Sequence, residues 1–194
     1  MQELQIINNT KPWPNGWGQK TSIMGVINLT PDSFSDGGDL NSSKKVLDQV
    51  KNFLYNGVDI IDLGAQSTRP GAEEVGSNEE LKRLIPYLKL IKSEYPEILI
   101  SIDTFNSDVA HEALINGANW INDITGGRRD KEILDVVAKF NCPIVLTHSR
   151  GNSKNMNDLS KYDNLLSEVK CSLDNLIKNA LEKNISESNI IVDP

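Results

Sequence analysis

Several features are scarce or missing in this 194-residue sequence, and each excludes a class of protein. Its two cysteines, Cys142 and Cys171, lack the spacing of metal ligands, so we expect free thiols of a reducing compartment. No apolar run approaches the roughly 20 residues that span a bilayer, and the N-terminus has no basic-then-apolar leader. A net charge of −7 disfavours a nucleic-acid surface, which needs a basic stripe. We therefore expect a cytoplasmic protein without membrane or nucleic-acid partners, although local Arg, Lys or a metal would still allow a small anionic substrate.

What the sequence does contain is a regular alternation of short apolar runs and amphipathic helical stretches. At 38% apolar, the chain is long enough for one domain with a real core. We expect a turn-rich lead-in over residues 1–20, in which Trp13 and Trp17 cover the base of a domain spanning residues 21–194. The predicted strands are Ile23–Ile27, Val58–Leu63, Ile98–Ile102, Trp120–Ile124, Ile144–Leu146 and Ile190–Val192. Apolar strands alternating with helices predict a parallel sheet covered by helices.

The helical stretches carry recognisable start and stop signals. Ser77-Asn78-Glu79-Glu80 has the form of a capping box, and Asn106 is expected to cap the helix that follows it. Pro86 should kink or split its helix. Gly57 and Gly117 stand where helices would end in left-handed backbone. The longest helical pattern is expected between Leu165 and Leu181.

Polar residues follow the predicted strands at their C-terminal ends. No G-x-G-x-x-G opens a helix after the first strand, which weakens a dinucleotide-binding fold. Functional groups delivered by successive strands to one rim are instead typical of a (β/α)8 barrel. Such barrels typically have eight strands and about 250 residues. With 194 residues and six predicted strands, this sequence predicts an incomplete α/β TIM barrel that contains about six of the eight strands. The rim residues would be Asn28, Gly64 to Arg69, Asp103, Asn122-Asp123, His148 and Asp193.

Two loops carry a family resemblance. The first strand leads into Asn28-Leu29-Thr30-Pro31-Asp32-Ser33-Phe34-Ser35-Asp36-Gly37-Gly38, and the second into Ser67-Thr68-Arg69-Pro70-Gly71. Both resemble signatures of dihydropteroate synthase, the folate-pathway enzyme. Ala65-Gln66 departs from the more usual Gly-Glu and leaves the second loop intact. By chemistry alone Arg69 offers a planar fork for an oxyanion and Thr68 a hydroxyl beside it, whereas an isolated exposed loop arginine would be unremarkable.

Three polar residues are candidates for recognising a pterin. Asp103, Asn122 and Asp193 match the pterin-binding positions of the resembled family, and each could otherwise serve only as a strand-end cap. The 2-amino-4-oxo edge of a pterin presents N–H donors that carboxylates and an amide can meet. The roles of Asp62 and Asp123 stay open, although strand alternation would turn Asp123 away from the rim.

The resemblance also implies a metal and a catalytic set. Asn28 and Asp36 supply hard oxygen donors suited to Mg2+ and lie at positions associated with the metal and pyrophosphate. Phe34 and Pro70 correspond to loop residues that close over the aromatic amine. The predicted catalytic residues are Phe34, Asp36, Thr68 and Arg69. Thr147-His148-Ser149-Arg150-Gly151 resembles a further family segment, in which we expect His148 to be structural or to form part of the pocket wall.

The reaction implied is transfer of 6-hydroxymethyl-7,8-dihydropterin from its pyrophosphate to 4-aminobenzoate, giving 7,8-dihydropteroate. After Asp193-Pro194 the family continues with groups that this chain does not contain, so we expect a C-terminally truncated chain that is inactive alone. The resemblance leaves a homodimer open, for which a truncated chain is a poor candidate. Two alternatives remain: a methyltetrahydrofolate methyltransferase-type domain, and a non-catalytic pterin-binding remnant.

Overall fold

The computed structural model describes residues 12–30, 39–66, 75–151 and 155–194, with no account of the side chains of residues 39–41 and 157. Within these ranges strands and helices alternate regularly along the chain. The strands are β1 (Met24–Asn28), β2 (Ile60–Gly64), β3 (Leu99–Asp103), β4 (Trp120–Asp123), β5 (Ile144–Thr147) and β6 (Ile190–Asp193). The helices are α1 (Asp39–Tyr55), α2 (Ser77–Glu94), α3 (Ser107–Ile115), α4 (Glu132–Phe140) and α5 (Leu165–Glu182), with short 3-10 turns at Met156–Leu159 and Glu187–Asn189.

The six strands form one parallel sheet in sequence order, from β1 to β6. Each predicted strand is present, with boundaries that differ by at most two residues. This arrangement confirms the predicted α/β class and comprises six successive strands of a (β/α)8 barrel. Parallel neighbours in register point their side chains to the same face, so the pairing also decides which residues can meet.

The outer face of the sheet packs against the helices and holds most of the core. Ile61, Ile100 and Ile121 are fully buried there, together with Leu84 and Leu88 of α2. Gly25 allows a close approach, because a Cβ at this position would lie 2.6 Å from the Phe53 ring of α1. The helices are therefore fixed on one side of the sheet, and the other face is left to line the barrel interior.

The interior face is closed at the N-terminal ends of the strands by a cluster of three tryptophans. Trp120 is buried, and its ring centroid lies 5.1 Å from that of Trp13 and 5.3 Å from that of Trp17. The Trp120 indole N–H donates to the carbonyl oxygen of Pro12. This geometry agrees with the prediction that Trp13 and Trp17 cover the base of the domain.

Several predicted helix ends differ in detail from those observed. The N-cap of α2 is Gly76 without a side-chain cap hydrogen bond, so the predicted capping box over residues 77–80 is wrong. The helix also runs through Pro86 without splitting. Gly57 and Gly117 do adopt positive φ, at 79° and 100°.

The start of α3 is capped from a distance. Asn106 occupies the N-cap position, as predicted, but its side chain makes no cap hydrogen bond. The Asp130 carboxylate accepts from the backbone N–H of Ser107 at 2.8 Å instead. This leaves the Asn106 carboxamide free to bond elsewhere.

Candidate functional site

The candidate site is built on one register row that crosses four strands. Asn28 pairs with Gly64, Gly64 with Asp103, and Asp103 with Asn122. These are the last residues of β1, β2 and β3 and the third residue of β4. The row lies on the interior face, at the C-terminal rim where (β/α)8 barrels carry their functional groups.

Gly64, at the end of β2, is the position at which side chains from the flanking strands β1 and β3 approach each other. A Cβ on Gly64 would lie 3.1 Å from Asp103 Oδ2 and 3.6 Å from Asn28 Oδ1. Both side chains therefore reach the same small volume, which the missing side chain of Gly64 leaves open. The polar ends of β1 and β3 converge there although a whole strand separates them.

Asp62 is a site residue whose role the sequence left open. It lies two residues before Gly64 and therefore on the same interior face, with only 3% of its surface exposed. Asn122 Nδ2 donates to Asp62 Oδ2 at 3.1 Å. The period-2 alternation of β2 was the signal that could have placed Asp62 beside the rim residues. Burial raises the pKa of Asp62, an effect that the hydrogen bond from Asn122 partly offsets.

Asp103 experiences the strongest electrostatic perturbation in the row. Burial, followed by the negative charges of Asp62, Glu80 and Asp123, raises its pKa from 3.8 to about 8. Three carboxyl groups around a fourth in a poorly hydrated place disfavour its ionised form. A cationic or hydrogen-bond-donating ligand would relieve this crowding, which fits a role in recognising N–H donors.

Asp193 lies higher on the same interior face. It pairs with Thr147, two residues beyond the position on β5 that faces Asn122. Thr147 Oγ1 donates to Asp193 Oδ2 at 3.4 Å, and the backbone N–H of His148 donates to the Asp193 carbonyl at 2.7 Å. The Asp193 side chain is exposed, so it stands above the row rather than within it.

Two other rim residues have structural roles in the fold. Asp123 turns to the opposite face, where it accepts from the backbone N–H groups of Thr125 and Gly127 at 2.7 and 2.5 Å. His148 Nε2 lies 3.0 Å from the Tyr162 hydroxyl, and the Arg150 guanidinium stacks 4.4 Å from the centre of the same Tyr162 ring. These contacts hold the segments that follow β4 and β5, in keeping with the structural role expected for His148.

Five of the predicted site residues lie outside the described part of the chain: Phe34, Asp36, Thr68, Arg69 and Pro70. Asn28 is thus the one described member of the predicted Mg2+ pair, and its carboxamide oxygen lies within 3.6 Å of the position that a Cβ on Gly64 would take. Among the described residues, no group of three or more His, Cys, Asp or Glu side chains is placed to hold a metal ion.

The strands that carry this row lie within a stretch of sequence that matches a known family. The model of that family, described as pterin binding enzyme, matches residues 24–194. The chain belongs to the pterin-binding enzyme family. It is 44% identical over 178 residues to the dihydropteroate synthase of Synechocystis, a match covering 92% of this chain and 61% of that protein.

Solved structures of this family agree with the fold described above. A dihydropteroate synthase from Clostridium difficile, crystallised in the presence of pteroic acid, aligns with a TM-score of 0.83 at 40% identity over 91% of this chain and 65% of that one. The enzyme from Xanthomonas albilineans with 4-aminobenzoic acid aligns at 0.82 and 34% identity, over 95% and 67%. These relatives favour the dihydropteroate synthase interpretation over a methyltransferase. Across the first curated relatives, the chain spans between about a quarter and two thirds of their length.

Within the described ranges, no helix has both the length and the apolar composition needed to cross a bilayer.

Proposed function

We propose that this chain forms the pterin-binding part of a dihydropteroate synthase, which joins 6-hydroxymethyl-7,8-dihydropterin pyrophosphate to 4-aminobenzoate and releases pyrophosphate. The observation that carries the proposal is the convergence of Asn28 Oδ1 and Asp103 Oδ2 over Gly64, in one row with Asn122. This convergence supports the proposal, because hydrogen-bonding groups suited to a flat heterocycle then stand beside an oxygen donor suited to a metal-bound diphosphate.

The pterin would be held by its polar edge. Asp103 and Asn122 face the interior at one height, and Asp193 stands on the same face farther from the strand row. A 2-amino-4-oxo edge presents several N–H donors and a carbonyl, so two carboxylates and an amide match it group for group. Asn122 is oriented for this task by its bond to Asp62, which fixes the carboxamide before a ligand arrives.

The pyrophosphate would lie toward β1 and β2. Asn28 offers a carboxamide oxygen there, a donor of the kind that Mg2+ takes, which supports this part of the proposal. Asn28 and Asp36 would hold Mg2+, which when bound supplies charge stabilisation for the leaving pyrophosphate. We assign Arg69 to the same anion through its planar fork, with the Thr68 hydroxyl beside it.

The chain's own contribution to the reaction is mainly one of position. As the C–O bond to pyrophosphate breaks, positive charge develops on the pterin methylene, and the negative charge of Asp62 on the interior face would favour it. Phe34 and Pro70 would close over 4-aminobenzoate and hold its amine in line with the methylene. Bringing the two reactants together in this geometry, rather than proton transfer, would account for most of the acceleration.

The test is a condensation assay on the polypeptide as the cell makes it. Labelled 4-aminobenzoate and dihydropterin pyrophosphate should give dihydropteroate in a Mg2+-dependent reaction, and Asn28→Leu should lower the rate. Tight dihydropterin binding without turnover would support a non-catalytic pterin-binding protein instead. Neither binding nor product would overturn both.

Several narrower expectations stay predictions within this proposal. The same assay applied to residues 1–194 alone tests whether this stretch is inactive by itself. The homodimer that the resemblance leaves open and the predicted cytoplasmic location do not follow from the site geometry, and they stay predictions.

A further inference from the structure

Glu80 is a buried carboxylate on the helical side of the sheet that the proposed reaction does not use. It lies in the first turn of α2 with 1% of its surface exposed. Asn106 Nδ2 donates to Glu80 Oε2 at 2.6 Å, and the Thr104 hydroxyl hydrogen-bonds to the same carboxylate. Burial raises the pKa of Glu80, while these two bonds act in the opposite direction.

The partners of Glu80 belong to the short segment that leaves the candidate site. Thr104 and Asn106 follow Asp103 directly, and the backbone N–H of Asn106 donates to Thr104 Oγ1 at 3.1 Å. On its sheet side the segment is fixed by the Thr104 N–H, which donates to the Asn122 carbonyl at 3.1 Å. The segment is therefore hydrogen-bonded to Glu80 on its helix side and to Asn122 on its sheet side.

The use of Asn106 shows that this contact displaces a local one. An asparagine at an N-cap position normally accepts from the helix it begins, which stabilises that helix. Here the carboxamide bonds to Glu80, and the distant Asp130 caps α3. A buried apolar residue at position 80 would avoid the desolvation of a carboxylate, so packing alone does not account for Glu80.

We propose that Glu80 is a positioning residue for pterin recognition, which ties the start of α2 to the segment of Thr104 and Asn106 and so holds Asp103 at the height of Asn28 and Asn122. This inference rests on the proposed function. Glu80 touches no substrate in it, and acts through the backbone that carries Asp103.

The experiment compares Glu80→Gln with wild type in the polypeptide as the cell makes it. Glu80→Gln replaces a charged hydrogen-bond acceptor with a neutral one and so weakens the bonds from Asn106 and Thr104. We expect KM for dihydropterin pyrophosphate to rise about tenfold. KM for 4-aminobenzoate should change less than about twofold, since that substrate does not bind Asp103. Thermal unfolding of both proteins is measured alongside.

Two further variants separate positioning from stability. Glu79→Gln is the matched control, because Glu79 neighbours Glu80 in α2 but forms its ion pair with Arg83 of the same helix, at 2.9 Å. It should leave both KM values unchanged. The exchange Glu80→Gln with Asn106→Asp restores an amide–carboxylate pair with its members reversed, and should recover at least half of the lost affinity on a logarithmic scale.

If Glu80→Gln lowers the unfolding temperature and leaves the pterin KM unchanged, Glu80 is merely structural. Equal rises in the KM values of both substrates would also overturn the proposal. If wild type and Glu80→Gln bind dihydropterin pyrophosphate equally tightly, the positioning role is refuted and the proposed function stands. A wild-type protein that binds no pterin refutes both.

Discussion

Asn122 on β4 hydrogen-bonds Asp62 on β2 at 3.1 Å, a contact that passes over the intervening strand β3. Side chains two strands apart can meet only where a sheet curves inward, so the bond marks the concave interior of the barrel. It also presents the Asn122 carboxamide in one orientation to the row of rim residues. Under the proposed function, the buried Asp62 thereby orients a residue that would bind the pterin.

Removing the Asp62 acceptor should weaken pterin binding, although Asp62 itself does not contact the ligand in the proposed function. We expect Asp62→Ala to raise the dihydropterin Kd about tenfold, because Asn122 loses a bond to a buried carboxylate. Asp62→Asn keeps the size and one acceptor oxygen, so its Kd should stay within about threefold of wild type. Titration calorimetry measures both values. Equal binding by all three proteins would show that Asp62 does not orient Asn122.

A methyl group at position 64 should disturb the rim directly. The Cβ of Gly64→Ala would lie 3.1 Å from Asp103 Oδ2, closer than ordinary contact, so the carboxylate must move. We expect dihydropterin affinity to fall about tenfold, the effect of one misplaced charged hydrogen bond. Gly76→Ala is the control, since a Cβ there meets no atom within 4 Å among the described residues. Unchanged affinity in Gly64→Ala would mean that Asp103 and Asn28 do not share the binding volume.

The raised pKa of Asp103 predicts how stability varies with pH. The folded chain keeps this proton to about pH 8, whereas the unfolded chain releases it near the ordinary value of 3.8, so stability is lost as pH rises through that window. Asp103→Asn carries no such proton. Relative to wild type, the variant's free energy of unfolding should gain about 2–4 kcal/mol between pH 4 and pH 8, allowing for partial solvent access.

Urea denaturation at several pH values measures this difference. Asp62, Glu80 and Asp123 titrate in both proteins and are coupled to Asp103 by charge, so the difference reports Asp103 together with its effect on these three groups. A constant difference across the range would show that the carboxyl group has an ordinary pKa.

The tryptophan cluster makes a prediction about stability alone. Trp13 is partly buried against Trp120, whereas Trp17 is 40% exposed. Trp13→Ala should lower the free energy of unfolding by about 2–3 kcal/mol and Trp17→Ala by about 1 kcal/mol, following the apolar area each one buries. Chemical denaturation tests the order. Equal losses would mean that the two rings close the barrel base to the same extent.

The strands and their order were predictable because apolar runs with β-branched residues are a local signal. The helix caps were not. Ser77 and Glu80 match the pattern of a capping box, yet Glu80 bonds to Asn106, 26 residues away, and Asp130 caps α3 from 23 residues away. Such long-range hydrogen bonds leave no trace in local spacing.

The candidate site divides in the same way. Asp103 and Asn122 were predictable as rim residues from their place at strand ends, whereas the role of Asp62 stayed open although the alternation of β2 could have put it on their face. Its bond to Asn122 depends on the curvature of the sheet, which no single strand encodes. The catalytic assignments of Asp36 and Arg69 rest on family resemblance and stay predictions.

The central claim is that the strand ends of β3 and β4 hold a pterin. Titration calorimetry with 6-hydroxymethyl-7,8-dihydropterin, on wild type and on Asp103→Ala in the polypeptide as the cell makes it, tests this most directly. The account predicts binding by wild type, with a Kd at least about tenfold higher for Asp103→Ala and an unfolding temperature that is not lowered enough to explain it. Equal Kd values for the two proteins would contradict the claim.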